Sequence, residues 1–332
     1  ERPAGPATDG SAPAWPAIMA LTATVVDIVR ALADEMRRDQ DGRREDVLFW
    51  GAALELAVQS HCRDSASASD RSAARLARLT ALTDTALKMA DAMEFGFLLD
   101  PARNLLSIGY AVTEGRLDPN SYDLLASEAR LASFIAIAKG DIPARHWFRL
   151  GRVATPVAGG AALVSWSGSM FEYLMPSLVM RAPASSLIAR TNSLVVRKQI
   201  SYGATLGLPW GISESAYNAR DLELTYQYSS FGIPDLGLQR GLGYNAVIAP
   251  YATALAAMVA PSAAARNFER LGSAGAGGRF GFYEALDYTP ARVPEGQQVA
   301  VVRAFMAHHQ GMSIASIANA LLGGRIRTFF HA

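Results

Sequence analysis

The sequence predicts an all-α chain whose helices pair into an (α/α) barrel, with long aromatic-rich loops and one small β-hairpin. Three observations predict it. Helical periodicity recurs along most of the chain, strand signals are few, and one long irregular stretch is rich in Gly, Pro, Trp and Tyr. The chain has 332 residues, of which 50% are hydrophobic and 18% charged. That is too apolar for disorder and long enough for a large core. Net charge is +1, with 31 basic and 30 acidic residues, so nothing marks a nucleic-acid partner. Cys62 is the single cysteine, which rules out an internal disulfide, and it reads as a small helical core residue.

The elements follow in order. Residues 1–16, "ERPAGPATDGSAPAWP", have the Pro, Gly and Ala content of a linker, and residues 17–332 are expected to form a single domain. The apolar "APAWPAIMALTATVV" lacks the basic start and cleavage site of a signal peptide, and the piece is expected to be soluble, with no membrane insertion of its own. Helices are predicted over 18–38, 44–62 and 70–93. Two apolar runs around Asp100 to Asn104 predict a hairpin. A helix over 120–139 should end at Gly140. Further helices are predicted near 168–180, 184–203, 247–259, 261–272 and 297–322, with the irregular stretch at 205–246. A loop of that length in a compact domain is usually functional, and its aromatics argue against disorder.

Two carboxylates stand out. In "SYDLLASEARLASFIAIAKG", helical counting puts Glu128 on one stripe with Leu124, Leu125, Leu131 and Ala132, hence facing inward. A buried carboxylate needs a partner, and the ordinary reading is an ion pair with Arg103, Arg149 or Arg152. In "PWGISESAYNAR", Glu214 lies between two serines, with Trp210 and Tyr217 nearby. Paired carboxylates in an aromatic groove suit the cutting or remaking of glycosidic bonds, one as proton donor and one as nucleophile or base. Flat rings give sugars a surface to stack on. Trp166, Phe171, Tyr173, Trp210 and Tyr217 qualify in the first half of this region, and Tyr226, Tyr228, Phe282, Tyr283 and Tyr288 in the second. Each alone reads as core; together they are too many. Asn218 and Arg220 suit sugar hydroxyls. Glu172, Glu284 and Asp287 compete as the second catalytic group or as hydroxyl binders.

Other chemistries are set aside. "SWSGS" and "GISES" lack the spacing of a nucleophile elbow. "GSAGAGGRFG" follows a helix rather than a strand, so it is no dinucleotide loop, and there is no Walker A sequence. His308 and His309 are about 100° apart on a helix and cannot converge on a metal, so they are assigned to the groove wall. No metal or cofactor is expected.

The segments "SYDLLASEARLASFIAIAKGDIP", "SWSGSMFEYLMPSLVM", "PWGISESAYNARDLELTYQY", "APYATALA", "GRFGFYEALDYTP" and "RAFMAHHQGMS" resemble the central region of bacterial cyclic β-1,2-glucan synthases. The likeness runs from about Phe95 to the C-terminus and more loosely over the first helices. It implies an (α/α)6 barrel related to endo-β-1,2-glucanases, whose task is ring closure of linear β-1,2-glucan by anomer-retaining transglycosylation. It implies Glu128 as nucleophile and Glu214 as acid/base, with the proton free to pass through a substrate hydroxyl. It also implies a membrane-anchored parent on the cytoplasmic side of the inner membrane. That parent would carry glycosyltransferase and phosphorylase-like domains as partners, which this chain lacks; its own step should need neither UDP-glucose nor phosphate. The alternatives are an endo-β-1,2-glucanase, a non-catalytic glucan-binding module, or buried ion pairs with a structural role.

Overall fold

The computed structural model of the protein describes residues 15–36, 42–66, 68–157 and 159–331. The linker-like segment thus lies outside the described residues except for Trp15 and Pro16, which open the first helix. The chain divides into two compact units, Glu1–Ala92 and Met93–Ala332.

The first unit holds α1 (Trp15–Glu35), α2 (Arg43–Ala66) and α3 (Ala68–Ala92). α1 packs on α2 where Gly51 lets the backbones approach; a Cβ there would fall 2.8 Å from Val29 Cγ1. Arg44 ties the two together by donating from Nε to the carbonyl of Ala33 at 2.8 Å. By length and composition α1 is long and apolar enough to cross a membrane, which the expectation of a plainly soluble piece did not allow for. Cys62 is half-buried on α2.

The second unit carries α4 (Arg130–Lys139), α5 (Arg145–Arg149), α6 (Met170–Leu174), α7 (Leu187–Leu206), α8 (Pro250–Ala257), α9 (Pro261–Ser273), α10 (Ala307–Leu321) and α11 (Arg325–Phe330). Every residue of α8 is buried, and it packs against α6, α9 and α10. α7 shows why a sequence stops where it does. The Ser186 hydroxyl accepts from the N–H of Ala189, and Gly207 closes the other end at φ 69°.

The all-α expectation, with its (α/α)6 barrel, is overturned. About 52% of the chain is helical and 15% is strand, spread over several small sheets. The predicted hairpin forms, Leu99–Asp100 pairing antiparallel with Leu105–Ser107, but Ser121–Tyr122 adds a third strand. Val247–Ile248, Ala285–Asp287 and Ala300–Val302 make a second three-stranded sheet inside the core. Ala154–Val157 pairs with Gly160–Leu163, and Ser215–Arg220 with Tyr226–Ser229. The physical reason is the length of the apolar runs. Strands of two to six residues, broken by Gly and Pro, satisfy their backbone across to a neighbour, and such runs carry too few residues to separate period 2 from period 3.6. Residues 120–129 and 297–306 therefore leave the helices predicted for them.

Candidate active site

Glu128 does not sit within a helix. Ser121–Tyr122 is held by the sheet, the N–H of Leu125 donates to Gly151, and helical geometry begins only at Arg130. Glu128 occupies the turn just before α4, half-buried, with the Ser127 hydroxyl donating to its Oε2 at 3.2 Å. None of Arg103, Arg149 and Arg152 pairs with it. The nearby cation is Arg130, whose buried guanidinium donates to the carbonyls of Ser127, Glu172 and Tyr173. Burial holds the Glu128 carboxyl above the usual range. The charge of Glu172 adds to that, while its own backbone N–H, Ser127 and Arg130 oppose it. Burial lowers Arg130 to about 10.

Glu214 leads into the strand Ser215–Arg220 at the end of a loop pinned from below. The Gln199 side chain pairs with both backbone groups of Ile212, at 3.0 and 2.8 Å. Asn267 does the same for Trp210, at 3.1 and 2.8 Å. Gly211 turns the chain at φ 121°, and Gly203 lets α7 approach; a Cβ at Gly203 would meet Trp210 Cβ at 2.8 Å. The Tyr251 hydroxyl donates to the Glu214 carbonyl at 2.8 Å, and the Tyr228 hydroxyl donates to Glu214 Oε1 at 2.8 Å. Burial raises the Glu214 carboxyl. The Tyr228 bond and the His309 charge pull it down, and the charges of Glu128 and Glu172 push it up. The charge of Glu128, the carboxyl expected to act with it, thus bears on Glu214 together with those of Glu172 and His309.

A cavity of about 590 Å³ opens beside Glu128, lined also by Arg103, Tyr122, Ser127, Trp166 and Glu172. Trp166 is 62% exposed there and presents a free face. It rides on the loop Ser165–Ser169, which Glu172 gathers: its carboxylate accepts from the hydroxyls of Ser165 and Ser167 and the N–H groups of Ser167 and Ser169. Glu172 and Ser169 also form a capping box at the start of α6. Gly232 lets a neighbouring loop lie against this one, since a Cβ there would overlap the Ser167 carbonyl.

The remaining expected residues divide by what they touch. Trp210 is buried, with no face open to a ligand, and Tyr173 is buried with its hydroxyl accepting from the N–H of Ser165 and sharing its one proton between the carbonyls of Leu163 and Leu236. Phe171 meets His308 edge-on at 5.8 Å; His308 is exposed and His309 is buried. Glu284 and Asp287 are buried and accept from the N–H groups of Ala216 and Asn218, alternate positions on one edge of the strand that follows Glu214. Asp287 also holds Arg292 in a two-point ion pair, and that guanidinium covers the Tyr217 ring. Asn218 donates from its side chain to the Arg292 carbonyl. Arg220 and Tyr226 pair with each other, Tyr283 packs on Phe305, and Tyr288 is half-buried. Of these, Glu284 and Asp287 hold the strand that follows Glu214 by its backbone. Among the described residues, no cluster of His, Cys, Asp or Glu could hold a metal ion.

Sequence reasoning counted Tyr228 only among the aromatics and missed Arg130, Gln199, Asn267 and Tyr251 altogether. The alternation in "TYQYS", read as a strand opposite "SAYNAR", would have placed Tyr228 beside Ala216, one step from Glu214's neighbour.

Comparison with known proteins agrees with the likeness seen in the sequence. A cyclic beta-(1,2)-glucan synthase, NdvB of Rhizobium meliloti (strain 1021), is 53% identical over 301 residues, which is 91% of this chain and 10% of that protein. The chain thus spans about a tenth of the length of the curated relative it matches. The family model described as a putative glucoamylase matches residues 120–332, the stretch that contains Glu128, Glu214 and the side chains bonded to them. The chain belongs to this glycoamylase family.

Proposed function

We propose that the Met93–Ala332 unit is an anomer-retaining transglycosylase that closes linear β-1,2-glucan into rings through a covalent glycosyl ester. The carrying observation is the pair Glu128 and Glu214: both half-buried, each with its own hydroxyl donor, with the charge of Glu128 bearing on Glu214. Burial raises the Glu128 carboxyl as well, but its own backbone N–H, Ser127 and Arg130 oppose that and favour the anion a nucleophile needs. Burial and the charges of Glu128 and Glu172 raise the Glu214 carboxyl against the Tyr228 bond and the His309 charge, which suits an acid.

Glu128 attacks the anomeric carbon as the glycosidic C–O bond breaks, and Glu214 supplies the proton to the leaving oxygen, directly or through a sugar hydroxyl. The 2-hydroxyl at the chain's own non-reducing end then displaces the ester and returns its proton to Glu214. Two inversions give retention. The tethered hydroxyl is present at high effective concentration, which is how it outcompetes water. Trp166 offers the stacking face. By the same reading the unit works within a longer, membrane-anchored parent on the cytoplasmic side of the inner membrane, beside its transferase and phosphorylase-like domains.

The test is incubation of the protein with linear β-1,2-glucan, without phosphate or nucleotide sugar. Products one water lighter than linear chains of the same length support the proposal. Shorter linear chains make the unit a hydrolase, and unchanged substrate makes it a binding module.

A further inference from the structure

Behind Glu214 stands a line of polar groups that the proposed reaction does not use. Tyr228 Oη is 2.8 Å from Glu214 Oε1 and, on its other side, 3.4 Å from His309 Nε2. His309 Nδ1 is 2.8 Å from Glu284 Oε1, a close approach that lies off the hydrogen-bond direction. Both partners are almost wholly buried. The Tyr251 ring stacks on the imidazole at 3.8 Å and 18°, so the ring cannot turn. Tyr251 is itself fixed by Ser213 and the Glu214 carbonyl. Glu284 is anchored by the N–H of Ala216, two residues beyond Glu214. The line therefore begins and ends on the same short segment.

A phenol has one proton. With that proton directed at Glu214, the Tyr228 oxygen can accept only from behind, where His309 Nε2 lies. Such a series strengthens most when its far end becomes an anion, because each bond polarises the next. We propose that Tyr228 and His309, anchored by Glu284, are positioning residues that hold Glu214 in one orientation and stabilise its carboxylate once the proton has gone to the leaving group. This rests on Glu214 being the acid. The charged and titratable groups facing Glu214 are Glu128, Glu172, Tyr228, Tyr251 and His309; those facing His309 are Glu284, His308, Tyr228, Tyr251 and Glu214. The Tyr228 hydroxyl is held far above its ordinary value by burial and the Glu214 charge, so it bridges as a neutral phenol rather than ionising.

The experiment compares Tyr228→Phe, His309→Gln and Glu214→Gln with the unmodified protein, by pH profiles of ring formation. It adds carbon-13 titration of the Glu214 carboxyl, which needs folded protein but no activity. Tyr228 is 44% exposed, so phenylalanine there leaves the core intact. Tyr228→Phe should lower kcat about 10- to 100-fold, the usual worth of a hydrogen bond to a charged group, with KM nearly unchanged. Losing the donor makes the anion harder to form, so the alkaline limb and the carboxyl titration should both move to higher pH. His309→Gln keeps an amide donor in place of the ring N–H and should move both the same way by less. If Glu214→Gln is inactive while Tyr228→Phe leaves both curves in place, the relay is overturned and the acid assignment survives. If Glu214→Gln stays fully active, both fall.

Discussion

Glu172→Gln separates a residue that builds the site from one that performs its chemistry. The carboxylate accepts from Ser165 Oγ at 2.6 Å and Ser167 Oγ at 2.8 Å, and from the N–H groups of Ser167 and Ser169 at 3.1 and 3.3 Å. Its second oxygen also accepts from Ser167 N at 3.0 Å. Glutamine keeps one acceptor oxygen and turns an amide N–H group toward a donor. Losing charge assistance on two hydroxyl bonds costs about 1 kcal/mol each, and a buried donor left facing another donor costs about 1 to 3 kcal/mol more. The sum is about 3 to 5 kcal/mol, or about 6–20 °C in Tm for a unit of this size. Denaturant unfolding followed by tryptophan fluorescence measures it directly. The profile of activity supplies a second reading. The charge of Glu172 raises Glu214, so its removal lets Glu214 lose its proton at lower pH, and the alkaline limb should shift down. A stability loss under about 1 kcal/mol with an unmoved limb would refute the assignment of Glu172 to the loop.

Three further outcomes follow from the same contacts. Asn267→Leu strands both backbone groups of Trp210 and the Thr253 hydroxyl, and should cost about 3 kcal/mol by denaturant titration while lowering kcat through the loosened 210–214 loop. Trp166→Ala removes an exposed ring, so stability should stay within about 0.5 kcal/mol while KM for glucan rises about 10-fold or more, read from initial rates. Glu128 and Glu214 are both raised in the folded protein, so ionising them opposes folding. Stability should therefore fall as pH climbs from the ordinary carboxylate range through their raised folded values. Glutamine at either position should raise the unfolding midpoint above that window and make no difference below it.

What could be read in the sequence was what its residues dictate locally. Gly140 closes α4 at φ 81° as the sequence predicts, and Asn104, in the stretch read as a hairpin turn, sits at φ 55°. Glu128 was placed facing inward by helical counting, yet the turn that holds it depends on Tyr122 pairing with Leu106 and Leu124 bridging Gly151. Those partners are non-local, and periodicity is blind to them. Trp210 and Tyr173 were read as sugar platforms because aromatics serve both core and groove. Only the clamps from Asn267 and from the carbonyls of Leu163 and Leu236 show them as core. Tyr228 and His309 lie 81 residues apart, a separation at which no spacing rule could join them.

The central claim is that the acceptor is the glucan's own hydroxyl rather than water. Running the reaction on linear β-1,2-glucan in oxygen-18 water and weighing the products tests that in one step. Rings one water lighter than the matching linear chains, free of oxygen-18, and absent with Glu128→Gln are the predicted result. Linear fragments without rings, with oxygen-18 taken up at one newly formed reducing end per bond cut and faster than the substrate's own reducing end exchanges, would contradict it.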